Sequence, residues 1–431
     1  MGSCPQYTQI ISGALGALLL TACGGGGGGG SANLFDHEPD PFDDLKPYVV
    51  ESEYSDVLIN CVKASAETSC TLNRLPIIGM EVDAPTVTDI MSRVVVSHDW
   101  MGQRFQQALE VLPADIRLLL RATTAIVIDA DIRPAYYTFE TGAIYLDPAY
   151  LWLTSAELAT INQQEDPRAG FSDPLQFRSL ARYLENDSFI YPYNLLDENP
   201  NKTIDDVSVL IGRLLYHELA HANDFLPPST WDFLDPADSA YEAIVKNEQN
   251  FIAVQLAESD PLTSSELRAL AKVMYHGNAP TAQDLTITAS EVGELFEADG
   301  ANDHYAYSSI FEDTAMLFEE TMMKYHFDTD REVAFSAVPA ISGFCNQYII
   351  GWGIRNRLGD TDVKARAQFV AGEMLPSAEL SLFFQELPLP QLMTPGDDWC
   401  LDAPVANGVQ KQQLMEIPLR DLRVPHTELQ R

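Results

Sequence analysis

Basic residues are scarce in this sequence. Lys and Arg number 26 against 63 Asp and Glu, which gives a formal charge of −37 at pH 7 over 431 residues. This balance argues against a nucleic-acid partner and against polybasic attachment to anionic lipid, because both need an excess of Lys and Arg. Hydrophobic residues make up 46% of the chain, which predicts a folded protein with a sizeable core.

Long hydrophobic runs are also missing. Ile10–Leu20 is apolar, yet it is too short to cross a bilayer as a stable helix. It ends in Leu-Thr-Ala-Cys at 20–23, followed by a run of Gly, and this pattern resembles the lipobox of bacterial lipoproteins, whose Cys is acylated. The resemblance implies a signal peptide over 1–23, a flexible tether over 24–45 and a lipid anchor in the bacterial cell envelope. No Asp follows Cys23, which by the same resemblance favours the outer membrane.

The cysteines beyond Cys23 are few and even in number: Cys61, Cys70, Cys345 and Cys400. An even number in an exported protein predicts disulfides. We expect Cys61 and Cys70 to close a small loop, and Cys345 and Cys400 to fix the C-terminal region.

Hydrophobic periodicity predicts an α+β protein that is mainly helical. Two strand-like runs, Thr124–Ile132 and Ala135–Leu146, predict a small mixed or antiparallel sheet, and residues 147–203 read as irregular with short helices. Helical patterns cover the following segments: Thr86–Leu120, Ile204–Phe225, 237–258, 263–275, 285–298 and Ser309–Phe327. The helix over Ile204–Phe225 is the clearest, because acidic residues occupy its first turn and two prolines follow its end.

That helix contains His217-Glu218-Leu219-Ala220-His221. Two His four residues apart project from the same face of a helix, so both can bind one Zn²⁺. Zinc activates a water molecule at neutral pH, and Glu218 can take the proton of that water and pass it to the leaving amine. The spacing therefore predicts a zinc peptidase site, in which a third ligand is still needed.

The third ligand is suggested by a second helical segment. Tyr305 precedes Glu312 by seven residues, and Glu312-Asp313-Thr314-Ala315 follows the pattern Glu-Asp-x-Ala. This arrangement resembles gluzincins of the anthrax-lethal-factor-like sort, which are zincin-fold metallopeptidases. The resemblance implies that Glu312 is the third zinc ligand and that Tyr305 donates to the oxyanion of the tetrahedral intermediate.

Alternatives for Glu312 stay open. Ser309-x-x-Glu312 is also a capping-box pattern, which would give Glu312 a structural role. Glu242 and Glu248, 21 and 27 residues beyond His221, are rival ligands with a spacing that resembles thermolysin-like enzymes.

One position departs from the gluzincin pattern. Met316 stands four residues after Glu312, where these enzymes commonly place a carboxylate that orients a zinc-bound His. Glu319, seven residues after Glu312 on the same helix face, is the candidate substitute.

Three further features are indicated less clearly by the sequence. His304 is expected in a solvated loop, with a transition-state donor as the alternative. Asp224 is expected either to accept from a zinc ligand or to lie solvated at a helix end. Ala143–Leu146 is expected to be the strand whose free edge pairs with an extended peptide.

Together these patterns predict a zincin-like, lipid-anchored zinc metallopeptidase that acts on exported proteins or peptides. We expect an N-terminal region with the small sheet over 46–203, a zinc-binding helical region over 204–345 with an insertion over 226–303, and a C-terminal region over 346–431. The first alternative is a catalytically inactive zincin-fold lipoprotein that serves as a binding or assembly factor. The second is a metallohydrolase that acts on something other than a peptide bond.

Overall fold

A computed structural model describes residues 42, 44–162, 168–190, 202–340 and 345–400. The expected signal peptide, Cys23 as the expected site of lipidation, and most of the expected tether lie outside these residues. From Asp44 onward the described residues belong to one compact unit. Its helices and strands make an α+β protein, as the periodicity predicts.

Within the described residues the strands are β1 Lys46–Pro47, β2 Val94–Val96, β3 Ile126–Ile128, β4 Tyr136–Thr138, β5 Ala143–Leu146, β6 Phe177–Glu185, β7 Ser188–Phe189, β8 Asp330–Ala337, β9 Ile350–Arg355 and β10 Gln391–Leu392. The α-helices are α1 Ser55–Val62, α2 Val87–Met91, α3 Asp99–Val111, α4 Ala114–Leu119, α5 Ser155–Leu158, α6 Ile204–Phe225, α7 Ala240–Lys246, α8 Ile252–Ser259, α9 Ser265–His276, α10 Ala289–Glu297, α11 Ile310–Phe327, α12 Thr361–Met374 and α13 Ser381–Glu386.

The first sheet is the predicted small sheet, and it is mixed. Its strand order is β1-β2-β3-β5-β4, with β2, β3 and β5 parallel and the outer strands β1 and β4 antiparallel to their neighbours. Strand β2 interrupts the helix predicted over Thr86–Leu120. Its three Val side chains are fully buried, and β-branched residues favour a strand when they can pack on both faces of a sheet.

The second sheet is antiparallel and was not predicted. Its order is β10-β9-β8-β6-β7. Strand β6 lies in the segment expected to be irregular and pairs with β8 over eight residue positions. The two strands are about 150 residues apart in sequence, so no local pattern reveals their pairing. Helix α10 packs on this sheet, where Phe296 contacts the rings of Phe335 and Trp352.

Helix α6 has the predicted bounds and runs through the core. It begins after Thr203, whose hydroxyl accepts from the backbone N–H of Asp206 while the Asp206 side chain accepts from the backbone N–H of Thr203. This capping box satisfies two groups that a helix start leaves open. The helix ends at Phe225, ahead of two prolines that cannot continue it.

Helix α11 packs against α6, with the rings of Phe318 and Tyr216 6.3 Å apart. It begins after Ser309 and ends before Asp328, which adopts a left-handed conformation with φ of 48°. Since both helices are buried over most of their length, side chains on their facing surfaces meet in a region that is largely screened from water.

Four helices, α7 to α10, lie in the predicted insertion over 226–303. The helix predicted over 237–258 is in fact two helices, separated by a short 3₁₀ turn at Glu248–Asn250. Both expected disulfides are present, Cys61–Cys70 and Cys345–Cys400. Among the described residues, no helix combines the length and the apolar character that crossing a membrane requires.

Candidate metal centre

Helix α6 presents His217 and His221 on one face, as their spacing predicts. Their ring centroids are 5.0 Å apart and the ring planes are nearly perpendicular, at 85°. The side chain of His217 is 1% exposed and that of His221 is 12% exposed. The pair is therefore buried, with some access to solvent at His221.

Helix α11 brings Glu312 against this pair. One carboxylate oxygen of Glu312, Oε2, lies 3.2 Å from Nε2 of His217 and 3.5 Å from Nε2 of His221. The hydroxyl of Ser309 accepts from the backbone N–H of Glu312 at 3.1 Å and so caps the helix. The Glu312 side chain does not complete a capping box with the backbone N–H of Ser309, because it points to the two imidazoles instead.

The distances within this group suit a small metal ion. Ligands about 2.0–2.1 Å from a tetrahedral ion are about 3.3 Å from one another, close to the two oxygen–nitrogen distances. Ligand atoms of His217, His221 and Glu312 all lie within 4.8 Å of one another. The three side chains therefore form a buried His/His/Glu group that could hold a metal ion.

The protonation of the group fits the same interpretation. Burial alone would raise the pKa of Glu312, but the charge of His221 and hydrogen bonds from both imidazoles lower it to about 2. Burial alone would lower the pKa of His217, but hydrogen bonds to Glu312 and Glu319 raise it to about 10. A metal ion would replace a proton in this group, so its binding must weaken as the pH falls.

Glu319 contacts the other nitrogen of His217. Its Oε2 lies 3.2 Å from Nδ1, and its side chain is fully buried. Met316 stands where gluzincins commonly place a carboxylate. Its side chain is fully buried in the hydrophobic cluster at the second sheet. The predicted substitution of Glu319 for a carboxylate at position 316 thus agrees with the geometry around His217.

Three further side chains surround Glu319, and no local sequence signal indicates them. The hydroxyl of Tyr183 donates to Oε1 at 2.8 Å, and Nε of Arg213 donates to the same oxygen at 3.1 Å. A guanidinium nitrogen of Arg331 lies 3.5 Å away. Although burial raises the pKa of Glu319, the charge of Arg213 and the hydrogen bond from His217 hold it well below its usual value. Glu319 is therefore a carboxylate, which can accept a hydrogen bond from His217.

The two residues expected to act in catalysis lie beside the group. Glu218 is 1% exposed, and its charge helps to raise the pKa of His217. Tyr305 belongs to a short 3₁₀ helix, His304–Tyr307, just before α11. Burial together with the neighbouring charge of Glu312 raises the pKa of its hydroxyl well above the usual value. It is therefore a phenol that can donate a hydrogen bond at neutral pH.

The rival ligands lie elsewhere. Glu242 is exposed and forms a capping box with Ser239, whose backbone N–H it accepts at 3.0 Å. Glu248 begins the 3₁₀ turn after α7. Of the described residues, only the His/His/Glu group above has the spacing of metal ligands.

The solvated loop expected for His304 and both roles expected for Asp224 are wrong. His304 is not in a solvated loop but fully buried, 3.3 Å from the hydroxyl of Tyr275, and burial lowers its pKa to about 4. Asp224 is neither solvated nor bonded to His217 or His221. It accepts from the backbone N–H of Ala253 at 2.7 Å and so caps α8, and burial raises its pKa to about 7.

The expected peptide-pairing strand is also wrong. Strand β5 lies between β3 and β4, so both of its edges are occupied. The strand at this edge of the sheet is β4. Tyr137 of β4 stacks on Phe225 of α6 with ring centroids 5.7 Å apart, so β4 lies against the helix that carries both His.

Comparisons of the chain with protein-family models, with curated proteins and with solved structures find no match.

Proposed function

We propose that this protein is a zinc metallopeptidase that hydrolyses peptide bonds of exported proteins or peptides. The observation that carries the proposal is the convergence of His217, His221 and Glu312 at separations that suit a tetrahedral ion. Nitrogen and carboxylate ligands are a set that zinc accepts, and three protein ligands leave a fourth position for water or substrate, as catalytic zinc sites require.

The neighbouring residues suit peptide hydrolysis. A bound zinc ion would act as a Lewis acid that activates water at neutral pH. Glu218, next to His217 in the helix, would take a proton from the attacking water and pass it to the leaving amine. The phenol of Tyr305, whose pKa the neighbouring charge of Glu312 helps to raise, would donate to the oxygen that becomes negative during attack.

The surroundings support a zincin-like arrangement. A mixed sheet precedes the helix that carries both His, and its edge strand β4 lies against that helix. An extended peptide can add to the exposed edge of a sheet through backbone hydrogen bonds. We propose β4 for this role in place of β5.

The cellular setting is part of the proposal. The lipobox-like sequence at 20–23 supports a lipid anchor on Cys23 in the bacterial cell envelope, in the outer membrane. The two disulfides agree with an oxidising compartment.

Glu218→Gln in the full-length protein tests the catalytic assignment. We expect this variant to keep its zinc and to lose chelator-sensitive cleavage of a peptide library by about 10²–10⁴-fold, the usual contribution of a general base. Glu242→Gln, on the exposed rival ligand, is the control and should cleave normally. Zinc binding without cleavage in the wild-type protein would favour the inactive binding or assembly factor, and cleavage confined to small esters would favour a non-peptide hydrolase.

A further inference from the structure

Arg331 of strand β8 joins two parts of the site that are separate in sequence. One guanidinium nitrogen lies 3.5 Å from Glu319, and another forms an ion pair with Asp303. The other oxygen of Asp303 accepts the backbone N–H of Tyr305 at 2.8 Å. Arg331 therefore contacts both the carboxylate behind His217 and the residue that caps the short helix of Tyr305.

These contacts close a ring around the proposed metal position. Glu319 faces Nδ1 of His217, whose Nε2 faces Glu312. The carboxylate of Glu312 lies close enough to the hydroxyl of Tyr305 to raise its pKa. The backbone N–H of Tyr305 donates to Asp303, which is paired with Arg331. Every charged side chain in the ring is at least 94% buried, so these contacts are shielded from solvent.

Strand β6 fixes the position of Arg331 within this ring. Tyr183 is its direct cross-strand partner in the β6–β8 register, and the guanidinium lies 4.7 Å from the centre of the Tyr183 ring. The hydroxyl of the same Tyr183 donates to Glu319. A cross-strand pair in the second sheet thus holds both the guanidinium and the carboxylate.

We infer that Arg331 is a positioning residue that couples the orientation of His217 to the placement of Tyr305. The inference rests on the proposed metal site and adds a function for the second sheet, which supplies no metal ligand among the described residues. Through Glu319, Arg331 fixes the imidazole that binds the metal. Through Asp303, it fixes the phenol that lies beside Glu312.

A double-mutant cycle in zinc affinity tests this coupling. Arg331→Met and Tyr305→Phe are measured singly and together, by competition of the full-length protein with a chelator for Zn²⁺. We expect Arg331→Met to weaken zinc binding by about tenfold, the lower end for partners beyond the direct ligands. If the two effects were independent, the fold loss of zinc affinity in the double variant would equal the product of the two single losses. We expect a loss at least about threefold smaller than that product, because Tyr305 is already misplaced when Arg331 is absent.

Arg182 provides a matched control. It is the cross-strand partner of Glu332, one position along the β6–β8 register, and it forms a buried ion pair with that residue. Neighbouring positions of a strand face opposite sides of the sheet, and Arg182 contacts Trp399 rather than the site. Arg182→Met should therefore lose stability like Arg331→Met, yet keep the zinc affinity and add independently to Tyr305→Phe.

The visible absorption of Co²⁺-loaded protein gives a second measurement, since it reports ligand geometry. We expect Arg331→Met to change this spectrum and Arg331→Lys, which keeps the charge, to restore it in part. If Arg331→Met does not fold, Arg331→Lys takes its place in the cycle. Two results would overturn only this inference, provided that the wild-type protein binds zinc normally. One is additive effects in the cycle, and the other is an unchanged zinc affinity and Co²⁺ spectrum in Arg331→Met. A wild-type protein that binds no zinc would overturn the proposed function as well.

Discussion

Replacing Glu312 by Gln in the metal-free protein is the perturbation whose magnitude the structure defines best. The change removes one carboxylate from a buried pair with His217 while leaving its shape. The pKa of His217 rises from 6.5 to about 10 through hydrogen bonds to Glu312 and Glu319, against the opposing effect of burial. At about 1.36 kcal/mol per pKa unit, this net shift corresponds to about 5 kcal/mol of stabilisation for the protonated imidazole in the folded state, to which the charge of Glu218 also contributes.

Glu319 remains in this variant, so only part of that stabilisation is lost. Breaking a buried ion pair costs about 3–5 kcal/mol, and we expect the lower end, about 3 kcal/mol, at pH 6 to 7. The sign of the pH dependence follows from the shift. A raised His pKa stabilises the fold fully below pH 6.5, and this contribution disappears as the pH rises towards about 10. The difference between wild type and variant should therefore shrink over that interval.

The pKa of Glu312 sets the low-pH limit of this stabilisation. Its pKa, which burial alone would raise, falls to about 2 through the charge of His221 and hydrogen bonds from both imidazoles. Its contribution is therefore present above pH 4.5 and lost as the pH falls towards 2. Below pH 2 and above pH 10, the free energies of unfolding of the variant and the wild type should therefore converge.

Urea unfolding in the presence of a chelator, at several pH values, measures the difference. Glu248→Gln, on the other rival ligand, should stay within about 0.5 kcal/mol of wild type, as substitutions away from buried networks do. Adding zinc at about 1,000 times its dissociation constant should stabilise the wild type by about 4 kcal/mol and Glu312→Gln far less. The reasoning is refuted if metal-free Glu312→Gln is as stable as the wild type at pH 6 to 7, or if their difference in stability grows as the pH rises from 7 towards 10.

Two further predictions concern stability away from the ligands. Burial raises the pKa of Asp224 from 3.8 to about 7, so the folded state is penalised increasingly as the pH rises from 4 to 7. Asp224→Asn should therefore raise stability by up to about 4 kcal/mol at pH 8 and by nothing near pH 4. A gain that does not depend on pH in urea unfolding would contradict this. For the disulfides, loop-closure entropy predicts a loss of about 4 kcal/mol for Cys345→Ser with Cys400→Ser and about 3 kcal/mol for Cys61→Ser with Cys70→Ser, since the closed loops span 55 and 9 residues. Equal losses in thermal or urea unfolding would count against the entropic account.

The helical part of the site could be predicted because its signals are local. His217 and His221 lie one helical turn apart, and the regular period of the helix alone determines that both face the same way. Glu312 and Glu319 are two turns apart, so they too share a face. The sequence does not determine which surface α11 turns towards α6, and resemblance to gluzincins supplied that part of the prediction.

The second sheet could not be predicted because its signals are distant. Strand β6 contains Arg178, Arg182 and Glu185, charges that normally indicate exposure. Arg182 is nevertheless buried, because Glu332 pairs with it across the sheet from 150 residues away. The role of Arg331 could not be predicted for the same reason, because its cross-strand partner Tyr183 is similarly distant in the sequence. His304 and Asp224 were misread for a related reason, since local polarity does not show that another helix or strand will cover a side chain.

The zinc content of the purified full-length protein tests the central claim most directly. We predict about one zinc per chain in the wild type and less than about a tenth in His217→Ala, because two remaining ligands cannot retain the ion. Glu248→Gln should bind as much zinc as the wild type. A wild-type protein with less than about half an equivalent after zinc loading, and with the same content in His217→Ala, would contradict the assignment of a zinc site.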